Sequence, residues 1–158
     1  GVACGVRTAD CVPVLVADRR SGAAAAIHSG WKGTVLDVVA AGVAALRVAV
    51  GDGEPELVAA IGPHIERCCF EVDADVAGDL ARASSLGRSV VDERAGGKSH
   101  VDLRAIVRAQ LVAAGVTDAA IGDVPGCTVC DVTRFHSFRR DAARSGRMLS
   151  AIVSRAAR

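Results

Sequence analysis

Two short apolar runs, Val12 to Ala17 and Ala23 to Ile27, flank the polar, glycine-ended break Arg19 to Gly22. That pattern predicts a β-hairpin. Pairing Asp18 with Ala23 places Pro13 opposite His28 and leaves Cys11 one diagonal step from His28, on the same face of the sheet. A one-residue slip would send the two side chains to opposite faces. Upstream, the apolar, glycine-spaced stretch Gly1 to Arg7 predicts a strand leading into Cys11. Downstream, Gly30 to Gly33 reads as a tight connection. Val35, Val38, Val39, Val43, Leu46 and Val50, with Gly42 on the same stripe, then predict an amphipathic helix opened by Thr34 and Asp37 in a capping-box-like arrangement.

Leu57 to Ile61 reads as a buried strand ended by Gly62-Pro63, and His64, Cys68 and Cys69 follow in a loop. A weaker helix is expected over Asp73 to Ala83, then an irregular stretch from Ser84 to Ser99 around a short strand at Val90-Val91. Leu103, Ile106, Val107 and Leu111 mark a second clear helix, with Asp102 as N-cap and Gly115 as its stop. Ile121 to Val124 and Phe135 to Asp141 read as extended, Met148 to Val153 as the strand that ends the sheet, and Ser154 to Arg158 as a fraying end. Uneven interleaving of helices and short strands predicts an α+β fold, a layered β-sheet core flanked by helices. No repeat or linker divides the chain, so residues 1–158 read as a single domain.

Composition narrows the function classes. Hydrophobic residues make up 51% of the 158 and charged residues 23%, which excludes a disordered chain. Nineteen basic against eighteen acidic residues leave a net charge of +1, which argues against nucleic acid as a partner. No apolar run approaches the ~20 residues of a membrane helix, and no charged leader precedes one. The expectation is a cytoplasmic protein that does not engage a membrane and keeps its six cysteines as thiols. Cys127 and Cys130 form a lone CxxC with no second CxxC to complete a zinc ribbon, so a turn with packed thiols is expected there. Adjacent Cys68 and Cys69 cannot share a side in extended structure, so one is expected to pack while the other approaches the site.

The candidate chemistry lies at Cys11 and His28. A thiolate beside an imidazole can hold a soft or borderline metal, or can act as a nucleophile with its base. Lys32 and the helix end at Thr34 are candidate anion holders. Trp31 reads as packing, His64 as a surface histidine, and Asp10 as a structural neighbour facing away from Cys11. One of Arg139 and Arg140 is expected to face inward and grip a phosphate or sugar oxygen, the other to pair with Asp141.

Four blocks carry a resemblance to a known family: Thr8 to Val14, Ala25 to Gly33, Ile61-Gly62-Pro63 with Cys68 to Val72, and Cys127-Thr128 with Phe135 to Asp141 and Gly146 to Met148. In these blocks the chain resembles the multicopper polyphenol oxidoreductase (laccase-domain) family, whose members are also described as purine nucleoside phosphorylases. The resemblance implies the laccase-domain, cytotoxic-necrotizing-factor-like fold. It also implies a zinc site using Cys11 and His28 as ligands and catalytic residues, with copper the less favoured metal. Phosphorolysis or deamination of adenosine- and inosine-type nucleosides is the implied activity, with purine nucleoside and phosphate as partners of a monomer or homodimer. The family takes a third ligand from a Val-His-Gly segment upstream of the Thr8 block, and these 158 residues have no counterpart to it. The alternatives are a metal-free hydrolase using Cys11 and His28, as in toxin deamidases of similar fold, and an incomplete member that binds without turnover. Phenol oxidation by linked coppers needs more than the four histidines present.

Overall fold

The computed structural model describes residues 1–155. Strand β1 (Ala3–Thr8) leads through a bend at Asp10 into β2 (Val12–Asp18), which pairs antiparallel with β3 (Ala24–Ser29). The hairpin has the expected register: Pro13 lies opposite His28, and the Asp18 N–H donates to the Ala23 carbonyl at 2.9 Å. The Asp18 carboxylate organises the turn by accepting the N–H groups of Arg20, Ser21 and Glu56.

Alternation along β2 assigns the faces of the sheet. Val12, Val14 and Val16 are fully buried. They face the core with Ile27 and, from strand β4 (Leu57–Ile61), Leu57, Ala59 and Ile61. Pro13 and His28 therefore lie on the other face. The core face is covered by Val39, Val43 and Leu46 of a long helix and by Leu103, Ile106, Val107 and Leu111 of a second. Gly42 permits the first of these contacts, because a Cβ there would lie 2.4 Å from Ile27 Cδ1.

The helix expected from Thr34 is broken in two. Helix α1 (Trp31–Val35) ends after one turn, and α2 (Val38–Val50) starts anew behind Asp37, whose backbone is left-handed at φ 52° and whose carboxylate accepts from Ala40 N at 3.1 Å. Thr34 is thus inside α1, its hydroxyl bonded to Ser29 Oγ at 2.8 Å and to the Gly30 carbonyl at 3.0 Å, and it caps nothing. It is not an anion-holding helix end.

Beyond β4, the short strand β5 (Glu71–Asp73) runs into α3 (Ala74–Ala83). The stretch read as irregular contains a hairpin, β6 (Val91–Glu93) and β7 (Lys98–Val101), which with β5 forms a three-stranded sheet in the order β5-β7-β6. Helix α4 (Leu103–Ala113) is capped by Asp102, which accepts from Ala105 N at 2.9 Å, and Gly115 follows at φ +94° as its stop. Strand β8 (Ile121–Asp123) adds parallel to β4, completing the four-stranded order β3-β2-β4-β8.

Three further expectations are corrected. Residues 138–141 are helical: α5 (Phe138–Asp141) is capped by Ser137, which accepts from Arg140 N at 3.1 Å. Strand β9 (Met148–Val153) pairs with β1 as a separate two-stranded ribbon over the Pro13 and His28 side of β2 and β3. Ser154 and Arg155, read as fraying, donate backbone hydrogen bonds to Val2 and Gly22, and residues 156–158 lie outside the described residues. The architecture is α+β, and no helix among the described residues is long and apolar enough to cross a membrane.

Candidate active site

A cavity of about 360 Å³ opens where the bend after β1, the end of β3, α1 and α5 converge, and both Cys11 and His28 line it. Cys11 is opposite Gly30 by continuation of the hairpin register, and a Cβ on Gly30 would lie 3.0 Å from Cys11 Sγ. Glycine at position 30 therefore leaves room for the thiol beside His28. The two residues singled out from the sequence share one wall, as the register requires.

Asp10 sets the bend that delivers Cys11. Its backbone is left-handed at φ 86°, a conformation that aspartate tolerates better than most residues. Its carboxylate accepts two short bonds at 2.6 Å, from Thr128 Oγ1 and from the N–H of Arg139, and its carbonyl accepts from Ile65 N. Asp10 thereby ties the bend to the segments 127–130 and 137–141. Burial, then the Asp10 carboxylate, push the Cys11 thiol above its ordinary pKa, while Arg147 pulls the other way.

The remaining walls are aromatic and cationic. Trp31, Phe70 and Phe138 contribute rings, and Arg7, Arg139 and Arg147 contribute charge. Arg139 sits with its guanidinium carbon 5.8 Å from the Phe70 ring centre and donates to the carbonyls of Cys69 and Glu71. Arg140 points elsewhere: it donates to the carbonyls of Thr128, Val129 and Phe135 and forms an ion pair with Asp141 at 2.8 Å. Arg139 is thus the arginine on the cavity, and Arg140 fastens α5 to the 128–135 segment. Lys32 is exposed, lies 5.4 Å from the centre of the Trp31 ring and is outside the cavity lining, whereas Trp31 itself is on it. Sequence reasoning missed Arg7 and Arg147 as cavity residues; the Gly146 to Met148 block was the available signal for the second.

Cys11 and His28 suit zinc by donor type, but a catalytic zinc takes three protein ligands. Among the described residues no third histidine, cysteine or carboxylate joins them. Asp10 is engaged as above. His100 Nδ1 is 2.7 Å from the Arg67 carbonyl, and His136 packs against Gly146.

His64 is not on the surface. The chain continues beyond β4 to bridge Cys127 in parallel, with Thr128 N donating to the His64 carbonyl, and this holds the ring fully inside. His64 Nδ1 meets the Gly62 carbonyl at 2.9 Å, while Nε2 has no partner. Burial holds its pKa below 6.5. A buried neutral histidine costs stability once the unfolded chain can take up a proton that the folded one refuses. Stability is therefore expected to decline as pH falls below about 6.5, and His64→Gln should flatten that decline in urea unfolding series. An unchanged slope would show that another group governs the decline.

A second cluster was not foreseen. Cys68, Cys69, Cys127 and Cys130 converge with their sulfur atoms all within 4.8 Å of one another. Residues 67–69 form a turn, with Cys69 N and Phe70 N both donating to the Glu66 carbonyl. The adjacent thiols therefore escape the alternation of extended structure. The donor set of this cluster can hold a metal ion.

Residues 1–155 match the family described as multi-copper polyphenol oxidoreductase laccase. The chain is 42% identical over 153 residues to adenosine deaminase RL5 from an unknown prokaryotic organism, covering 96% of this chain and 58% of that protein. It is 38% identical over 149 residues to a purine nucleoside phosphorylase of Bacteroides thetaiotaomicron, covering 94% and 55%. The crystal structure of Bacillus licheniformis protein YfiH superposes with a TM-score of 0.88 at 32% identity, covering 97% of this chain and 58% of that one. The chain thus spans less than two thirds of the length of these relatives.

Proposed function

The chain belongs to the multi-copper polyphenol oxidoreductase laccase family, and on that premise we propose that the cavity at Cys11 and His28 binds a purine nucleoside and supports its phosphorolysis or deamination. The observation that carries this reading is the joint placement of Cys11 and His28 on one wall of a cavity whose other walls are aromatic and cationic. The rings of Trp31, Phe70 and Phe138 offer stacking surfaces for a purine. Arg7, Arg139 and Arg147 offer donors to phosphate or sugar oxygens. The Arg7 side chain has no hydrogen bond or ion pair to other described residues, which leaves its guanidinium free to meet an anion.

Zinc fits Cys11 and His28 as two of its ligands and would supply Lewis acidity there. Among the described residues its donor set is one ligand short. In phosphorolysis a phosphate oxygen attacks ribose C1′ and the base leaves with the glycosidic electron pair, so cations beside the sugar stabilise the incoming anion. In deamination water adds at purine C6 and the amino group leaves as ammonia. The relatives named adenosine deaminase and purine nucleoside phosphorylase represent both outcomes. In the metal-free reading, burial pushes the Cys11 thiol up, so the nucleophile would rely on His28 as the base that takes its proton.

Trp31 is the single tryptophan in a chain without tyrosine, so ligand entry reads directly in its fluorescence. Adenosine and inosine are expected to quench that emission. Ammonia release without phosphate identifies deamination, and phosphate-dependent release of free base identifies phosphorolysis. Absence of both quenching and product with adenosine and with inosine would overturn the proposal.

A further inference from the structure

We propose that Cys68, Cys69, Cys127 and Cys130 are the ligands of a structural zinc ion that clamps together the two turns bearing the cavity wall. This site is separate from Cys11 and His28 and does not depend on what occurs there. Cys69 and Cys130 sulfurs are 3.3 Å apart, Cys68 and Cys69 3.7 Å, and Cys68 and Cys130 3.8 Å. Zinc bonded to four thiolates at ≈ 2.3 Å requires sulfur–sulfur edges of about 3.8 Å. Two of the three distances already have that value, and the third needs about half an ångström of opening.

The arrangement is a convergence of four sulfurs rather than two separate pairs. Cys69 and Cys68 both approach Cys130, so a single disulfide would leave two thiols unmatched. Tetrahedral all-sulfur surroundings select zinc or iron. Zinc, which has no redox chemistry of its own, is the ion suited to a clamp. Cys127 is buried and Cys69 half-buried, while Cys68 and Cys130 are exposed, so an ion can enter from solvent. Arg67, immediately before the pair, has a buried Nε with no hydrogen-bond partner among the described residues. Four thiolates around Zn²⁺ would carry a net charge of about −2, which gives that cation a nearby countercharge.

The consequence for the cavity follows from the bonds around the cluster. Phe70 lines the cavity and adjoins Cys69, whose carbonyl receives Arg139. From the other turn, Thr128 donates to Asp10, the residue that delivers Cys11, and Arg140 holds the carbonyls of Thr128 and Val129. Zinc would cross-link segments far apart in sequence, where closing a long loop contributes most. Binding displaces the thiol protons to solvent and oxidises nothing.

The test uses the full chain purified under reducing conditions, with zinc measured by elemental analysis. One zinc per chain is expected to survive in the Cys11→Ala/His28→Ala double variant and to be lost in Cys130→Ser. If Cys130→Ser does not fold, the double variant decides alone. Four of its thiols should resist a thiol reagent until a chelator is added, the chelator should lower its melting temperature, and cobalt(II) exchange should give sulfur-to-cobalt charge-transfer absorption. Absence of zinc from the double variant, four freely reacting thiols, a disulfide within the cluster, or iron in place of zinc would each overturn the proposal.

Discussion

With the proposed nucleoside activity at the cavity, His28→Ala is expected to lower turnover of adenosine or inosine by a factor on the order of 100 or more while leaving the fold intact. The side chain stands exposed at the end of β3, so its removal uncovers no core, and surface changes of this kind cost within about 0.5 kcal/mol. Its neighbours explain the asymmetry: Ile27 and Ser29, one residue to either side, are buried on the core face, while His28 faces the cavity. Steady-state rates and urea midpoints measured on the same preparation separate the two effects. Parent-like turnover in this variant would remove His28 from the chemistry.

Asp10→Ala should produce the opposite pattern, a loss of about 3 kcal/mol or more that precedes any question of catalysis. The carboxylate accepts Thr128 Oγ1 and Arg139 N at 2.6 Å each, and hydrogen bonds to a charged group contribute roughly 1.5–3 kcal/mol apiece. Truncation also strands a hydroxyl that is fully buried with Thr128. Alanine is further penalised by the left-handed backbone at position 10, whereas Asp10→Asn tolerates that backbone and keeps an acceptor, so it should recover part of the loss. Urea unfolding of the three proteins measures the series. A stable Asp10→Ala chain that binds nucleoside without turning it over would move this carboxylate from the scaffold to the reaction.

His28 and Asp10, which lines the same cavity as Cys11 rather than facing away from it, also show how far local pattern reaches. The pairing of Pro13 with His28 was legible because a period of two and a four-residue connection leave one register that buries Val12, Val14, Val16 and Ile27 together. The Asp102 cap and the stripe of α4 were legible for the same reason, since each depends on residues within a turn or two of one another. That register puts Cys11 and His28 on the same side of the sheet, while the bend that presents Cys11 also depends on the bonds from Asp10 to Thr128 and Arg139.

Tertiary structure decided the rest. Whether Arg139 or Arg140 meets the cavity depends on α5 forming in place of a strand, and α5 is held by Asp10 from the far end of the chain. The break at Asp37 accompanies a bond from Gln110 of α4 to the Thr34 carbonyl, a partner no local window contains. His64 is buried by a bridge to Cys127, and the same bridge helps bring a lone CxxC beside an adjacent cysteine pair. Strand and helix periodicity record the preferences of near neighbours, whereas a cluster assembled from two distant turns exists only once the intervening sheet and helices have packed.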